Sequence, residues 1–245
     1  MKVERKCKIV SKEQMGDAVY MVLEAGDMVR TSFRAPGQFV HVKCGEGLLL
    51  RRPISVCTCY SDEPSDLLTI VFEVRGEGTD WLARRPVGHS LTMEPEGHYL
   101  LVGGGIGIPP MLGCAQYTQG KSTAILGGRS ADKIILQNCF QDECAKVLTA
   151  TDDGSLGHHG FVDALVRQEL EGDQNYDAVL ACGPRPMLRN VARVAEEFGV
   201  PCQVSMEERM GCGFGACMGC SCKTKYGNKR ICKDGPVLEK EEIVW

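Results

Sequence analysis

Positive charge is in short supply. The 245 residues carry 28 Lys and Arg against 32 Asp and Glu, a formal net charge of −4. No basic field exists to recruit nucleic acid or an anionic membrane, so neither is expected as a partner. The amino-terminal MKVERKCKIV is charged throughout and lacks the apolar core of a secretory signal. Internal repeats are absent as well. A membrane span is only imitated: no residue from Tyr99 to Gly120 is charged, but six glycines, two adjacent prolines and two glutamines interrupt that stretch. It reads as a buried strand followed by a loop, and the expected location is cytoplasmic.

What the chain has in quantity is cysteine, fourteen in all. In a chain not directed to export these are not a disulfide framework. Ten are scattered (Cys7, Cys44, Cys57, Cys59, Cys114, Cys139, Cys144, Cys182, Cys202 and Cys222), and most read as small buried hydrophobes. Cys212, Cys217, Cys220 and Cys232 instead form a C-x4-C-x2-C-x11-C pattern. A C-x4-C-x2-C run with a distant fourth cysteine is the plant-type [2Fe–2S] spacing. Two irons need four thiolates, and Gly211, Gly213, Gly215 and Gly219 let the loop wrap closely with its N–H groups turned to sulfur. Structural zinc also takes four cysteines, usually as two C-x2-C knuckles, of which this set holds one.

Three regions follow one another. Residues 1–98 look all-β: Cys7–Val10, Val19–Leu23, Phe39–Val42, Leu67–Val74 and Ser90–Met93 are apolar and β-branched, and turn residues separate them as in a small barrel. Across 99–204 the short runs YLLV, STAILGG, KVLTATDDG and YDAVLACG alternate with helical stretches at Pro110–Gln119 and Arg185–Phe198, which implies a covered parallel sheet. Residues 205–245 are rich in Cys and Gly with little apolar periodicity, and such a segment needs a metal centre or a neighbour to hold it.

Two glycine-bearing regions suit phosphates. RRPISV at Arg51–Val56 follows one strand-like run and ends one; Arg-Pro alone is commonly a plain turn. It gains meaning from VFEVRGEGTDWL at Val71–Leu82, where Gly76, Gly78 and Thr79 form a close-approach loop suited to a pyrophosphate. GGGIGIPPM at Gly103–Met111 joins YLLV to a helical stretch, a layout that aims backbone N–H groups at phosphate, although Ile108 stands where the dinucleotide fingerprint has its third glycine. A tight strand–helix turn explains that loop equally well. CGPRPML at Cys182–Leu188 repeats the topology, and TDDGSLGHHG lies between.

Other residues read plainly. His41, His89, His98, His158 and His159 have no ligand spacing, the adjacent pair fitting a surface loop. Asp152 and Asp153 fit a turn, Glu207 and Glu208 shape the approach to the cysteine loop, and Trp81 is expected in the core. Trp245 docks on the protein or on a partner. Arg129 serves a 2′-phosphate or stands as a plain surface residue, leaving NAD against NADP open.

In this order the segments resemble the ferredoxin-reductase superfamily. RRPIS, GEGT, GGGIGIPP, TDDGS, CGP and the cysteine tail followed by DGPV narrow the likeness to the electron-transfer subunits of class 1B, NAD-dependent, dihydroorotate dehydrogenase, over nearly the whole chain. The resemblance implies a β-barrel plus α/β fold: an FAD-binding antiparallel barrel over 1–98, a parallel-sheet NAD domain over 99–204 and a small [2Fe–2S] module over 205–245. It implies that Arg52, Pro53, Ile54 and Ser55 contact FAD, with Val71, Phe72 and Glu73 lining it and Gly78 and Thr79 at its pyrophosphate. Ile54 stands where the usual flavin motif has a stacking tyrosine. Gly103, Gly105, Gly107, Cys182, Gly183 and Pro184 would meet NAD, and Cys212, Cys217, Cys220 and Cys232 the cluster. The implied partner is an FMN-containing dihydroorotate-oxidising barrel subunit, in a heterotetramer of two plus two, serving pyrimidine biosynthesis. Two rivals remain: a homologous subunit of an NAD(P)H-dependent ferredoxin or sulfide oxidoreductase complex, and a zinc-stabilised interaction module. The first commonly lacks four cysteines at this spacing, so Cys212 favours the dihydroorotate reading.

Overall fold

In the computed structural model the strand β1 (Lys8–Met15) turns at Gly16 and Asp17 into β2 (Ala18–Gly26), and the two pair antiparallel. The structure describes residues 7–33, 35–42, 51–61, 66–75, 79, 97–172 and 175–245. Cys44, Gly76, Gly78, Trp81, His89 and the expected strand at Ser90–Met93 lie outside them. Buried and half-buried side chains alternate along β2, the period-2 pattern of a strand with one face in a core. After the short helix α1 (Met28–Ser32) come β3 (Phe39–Val42), β4 (Arg52–Tyr60) and β5 (Asp66–Glu73). The sheet order is β1-β2-β5-β4-β3, every pairing antiparallel. Met21, Leu23, Val40, Val42, Val56, Leu68, Ile70 and Phe72 fill its core, each such burial contributing about 1.5–3 kcal/mol. Buried Asp66 is satisfied by the Arg30 backbone N–H at 2.9 Å, the Ser61 hydroxyl at 3.1 Å and the Arg30 guanidinium at 3.4 Å.

RRPISV was expected to end a strand; it opens one instead. Apolar and small residues continue to Tyr60, and Pro53 is tolerated because its stretch of β4 pairs only with β3, opposite His41, while pairing with β5 begins at Val56.

The second sheet opens with β6 (Tyr99–Gly104), buried along its whole length, and a single-turn loop leads to the helix α2 (Ile108–Tyr117). The helix starts ahead of the expected Pro110 because Pro109 and Pro110 sit in its first turn, where a missing N–H costs nothing. Then follow β7 (Thr123–Gly128), α3 (Gln137–Glu143), β8 (Lys146–Thr151), β9 (His158–His159), α4 (Val162–Glu171), β10 (Ala178–Cys182), α5 (Arg185–Glu197) and β11 (Cys202–Ser205). α5 buries Leu188, Val191, Ala192 and Ala195, a helical stripe. Among the described residues, no helix is long and apolar enough to cross a membrane.

The carboxyl-terminal segment folds as a hairpin, β12 (Ser221–Thr224) and β13 (Gly227–Arg230), then the turn of helix α6 (Ile231–Asp234) and β14 (Val237–Glu239). The neighbour it needs is the parallel sheet, whose order is β14-β11-β10-β6-β7-β8-β9 with β14 antiparallel to β11. Cys220, Cys222, Ile231, Cys232, Leu238 and Ile243 share one core with Leu100, Val102 and Val179.

β3 serves two cores at once. Val40 and Val42 point into the antiparallel sheet's core, whereas Phe39, on the opposite face, joins the core containing Cys220 and Cys232. A third core joins the two sheets, with Ala18, Cys57 and Val71 packed against Leu101, Ile108 and Met111.

Candidate functional site

The parallel sheet reverses its strand order between β6 and β10, and a crevice outside the carboxyl ends of such strands is the usual ligand position. The loops there are Gly103–Gly107 and Cys182–Pro184. They pack against each other: a Cβ on Gly107 would overlap the Cys182 carbonyl, and one on Gly183 would lie 3.2 Å from the Gly104 Cα. A Cβ on Gly103 would come within 2.8 Å of the Ile108 Cα. These glycines are needed by the fold itself. Gly105 differs, with φ +55° and no atom within 4 Å of its Cβ position, a left-handed residue open to a ligand at the head of α2. The cradle fits a dinucleotide phosphate. Burial pushes the Cys182 thiol up to about 11, so it stays protonated at neutral pH.

Along the neighbouring loops Asp153 accepts hydrogen bonds from the Ser155 N–H (2.9 Å) and hydroxyl (2.6 Å), which hold its carboxyl below the ordinary range. Asp152 and Asp153 are turn residues, as expected. His158 and His159 are exposed but form the short edge strand β9 rather than a loop.

Arg52, Pro53, Ile54 and Ser55 are half-buried at the start of β4. On β5 the alternation separates the expected flavin-lining residues: Val71 turns to the core between the sheets, Phe72 to the core of its own sheet, and half-buried Glu73 pairs with Arg75. The Thr79 hydroxyl accepts the Arg75 N–H at 2.7 Å. A guanidinium such as that of Arg52 suits an anionic dinucleotide.

The four cysteines come together as two pairs. Cys212 Sγ accepts the N–H groups of Ala216 (3.3 Å) and Cys217 (3.4 Å), and Cys217 Sγ those of Cys212 (3.4 Å) and Gly219 (3.5 Å). Cys220 Sγ accepts the Cys232 N–H at 3.4 Å. The Cys217 and Phe214 N–H groups hold the Cys212 thiol down at about 6, favouring thiolate, whereas burial and adjacent Cys220 push Cys232 up. A bound metal reverses the second effect, since a coordinating thiol is deprotonated outright. Among the described residues no three metal-ligating side chains converge on one point. Two thiol pairs with backbone N–H groups at their sulfurs suit a two-iron centre.

Several other cysteines behave as hydrophobes: burial raises Cys59, Cys144 and Cys202 to about 12, whereas Cys139 is exposed. One site residue escaped the sequence reading. The imidazole of His41 lies against Gly213, whose φ is +73° and whose Cβ position the ring occupies. The signal available was a polar residue within FVHV, on the strand face opposite Val40 and Val42.

Known proteins resemble the chain over nearly its whole length. Residues 207–244 match the family described as the iron-sulfur cluster binding domain of dihydroorotate dehydrogenase B. Curated relatives include the dihydroorotate dehydrogenase B (NAD(+)) electron transfer subunits of Bacillus pumilus, 36% identical over 96% of both chains, and of Caldanaerobacter subterraneus subsp. tengcongensis, 33% identical over 100% of both. That of Bacillus caldolyticus is 38% identical over 96% of each chain. Among solved structures, an NADH-dependent reduced ferredoxin–NADP oxidoreductase aligns with a TM-score of 0.82 and 27% identity, covering 100% of this chain and 92% of that one. The ferredoxin reductase of carbazole 1,9a-dioxygenase shares the fold at a TM-score of 0.64 and 17% identity, over 80% and 65%. With full-length relatives above 30% identity and the paired cysteines in the matched segment, the chain belongs to the family of dihydroorotate dehydrogenase B (NAD(+)) electron transfer subunits.

Proposed function

We propose that this chain carries electrons between a dihydroorotate-oxidising partner and NAD+, through a [2Fe–2S] cluster and FAD. The observation that carries the reading is the pairing of Cys212 with Cys217 and of Cys220 with Cys232 in a loop that abuts the strand next to Arg52–Ser55. FAD holds two, one or no electrons and so joins the hydride chemistry of a nicotinamide to the one-electron chemistry of the cluster.

The residues divide the work. Cys212, Cys217, Cys220 and Cys232 hold the irons, while the N–H groups of Ala216, Cys217 and Gly219 stabilise charge on sulfur. Arg52, Pro53, Ile54 and Ser55 hold FAD along β4, with the backbone of Val71–Glu73 beside it and Gly78 and Thr79 at its pyrophosphate. Gly103, Gly105 and Gly107 with Cys182, Gly183 and Pro184 shape the NAD crevice. Residues 1–98, 99–204 and 205–245 are the FAD, NAD and cluster units. Free thiols at thirteen described cysteines suit the reducing cytoplasm.

The partner in this reading is an FMN-containing barrel subunit, two copies of each chain forming a heterotetramer. Phe214 and Met218 on the cluster loop and Tyr226 at the hairpin tip are 58%, 49% and 80% exposed, and this apolar rim is the contact surface. Mixing the chain with its barrel partner restores dihydroorotate-dependent NAD+ reduction, whereas the chain alone reduces artificial acceptors with NADH. Robust dihydroorotate oxidation by the isolated chain would disprove the arrangement.

The direct test is compositional. The purified chain is brown-yellow, with two irons and one FAD per chain expected on the four-thiolate rule. Zinc in place of iron, with no flavin released on denaturation, sinks the proposal. A second reading draws on the whole-chain TM-score of 0.82 to the ferredoxin–NADP oxidoreductase: a ferredoxin-linked subunit as partner. Tight binding to such a subunit, and none to the barrel, selects it.

A further inference from the structure

Three layers meet at β3. On one side Pro53 of β4 lies directly opposite His41 in the strand register, and Ser55 opposite Phe39. Adjacent strands sit about 4.8 Å apart, so β3 is one strand removed from the proposed flavin contacts. On its other face Phe39 packs into the core holding Cys220 and Cys232, and His41 meets the turn that begins at Cys212. The two rings stand edge to face, with centroids 6.1 Å apart. His41 is 9% exposed, and a Cβ on Gly213 would overlap its Cε1, Nδ1 and Nε2. The ring edge therefore fills the space over the residue next to a cluster ligand.

We propose that His41 is the positioning residue that sets the cluster loop against the flavin-bearing strand and tunes the reduction potential of the cluster. The inference rests on the function proposed above and adds a residue that the cysteine and glycine motifs do not contain. Two physical effects follow from its place. First, the imidazole is the packed spacer between β3 and the Cys212–Gly213 turn, so its removal lets the turn shift relative to β4 and lengthens the path for an electron. Second, cluster potentials respond to hydrogen bonds, burial and solvent access. A buried ring over Gly213 sets the burial and the solvent access on that side. NADH would give bound FAD two electrons as a hydride and leave as NAD+; one of them would take an iron(III) of the cluster to iron(II), and the other would stay on the flavin until the cluster has passed the first to an acceptor.

The experiment uses the holoprotein and its His41→Ala, Gly213→Ala and double variants. NADH is mixed with each, and flavin and cluster reduction are followed by absorbance and by electron paramagnetic resonance of the reduced cluster. In His41→Ala, iron and FAD are retained, and the ratio of the cluster-reduction rate to the flavin-reduction rate falls about tenfold. The cluster's midpoint potential and g-values shift with it. Gly213→Ala, which drives a methyl into the imidazole, shows the same fall. The double variant recovers part of it because the methyl enters the vacated space, a non-additivity expected only of residues in contact. His41→Gln, which keeps a polar group over Gly213, retains most of the wild-type ratio.

A wild-type protein without FAD or iron refutes the proposed function and this inference together. Loaded variants with wild-type ratio, potential and g-values refute this inference alone. So do simply additive losses in the double variant, or a His41→Ala protein that loses FAD while its cluster potential is unchanged.

Discussion

Cys217→Ser yields a yellow protein that has lost its iron and keeps its FAD. Cys217 is exposed, pairs with Cys212 and accepts the N–H groups of Cys212 and Gly219 through its sulfur. Removing that sulfur would leave one iron of the proposed cluster a thiolate short. Dihydroorotate-dependent NAD+ reduction falls to background even if the partner complex assembles, because the electron path is cut. The folding consequence is local. Residues 211–219 would lose the proposed metal bonds, whereas β12 to β14 remain anchored by Ile231, Leu238 and Ile243, each worth about 1.5–3 kcal/mol of burial. Limited proteolysis should cut within 211–219 and spare the segment after Ser221. Iron retained at wild-type level, or release of the whole tail after Ser205, would show that this account of the loop is wrong.

Gly105→Val and Gly107→Val are expected to fail in different ways. At Gly105 there is room for a side chain, but the φ of +55° adds about 1–2 kcal/mol of strain for a residue with a Cβ, and the valine projects where a phosphate would approach. The variant folds, keeps FAD and needs at least about tenfold more NADH, the equivalent of about 1.4 kcal/mol. At Gly107 the added carbon strikes the Cys182 backbone, so the two crevice loops cannot close on each other. That variant loses stability as well as NADH-driven reduction. Thermal unfolding alongside NADH titration separates the two. Unchanged nicotinamide affinity in Gly105→Val would reduce the loop to a strand–helix turn.

The cysteine pattern was the most legible part of the site, because ligand spacing is written in covalent order. The parallel sheet was legible for a related reason: β6 and β10 are continuous apolar runs, the mark of strands covered on both faces. Helices α3 and α4 went unread. α3 is seven residues long with one buried side chain, Phe140, too short for a period to show. The place of RRPISV at the start of β4 rather than at a strand's end was missed, and only the register with β3 reveals why Pro53 is tolerated there. β14 was hidden for another reason: it has three residues, and its partner β11 is set by tertiary pairing rather than by local pattern. His41 was set aside for lacking ligand spacing, a criterion blind to a residue that acts by contact across about 170 positions of sequence.

The double-faced β3 also has a consequence in time. Its His41 side waits for Gly213, which is made about 170 positions later. At about 5–20 residues per second, the intervening 170 or so positions take about 10–35 s to synthesise. During that interval the His41 side of β3 has no cysteine loop to rest against, and the contact is expected to close only after strands β6 to β11 have been made.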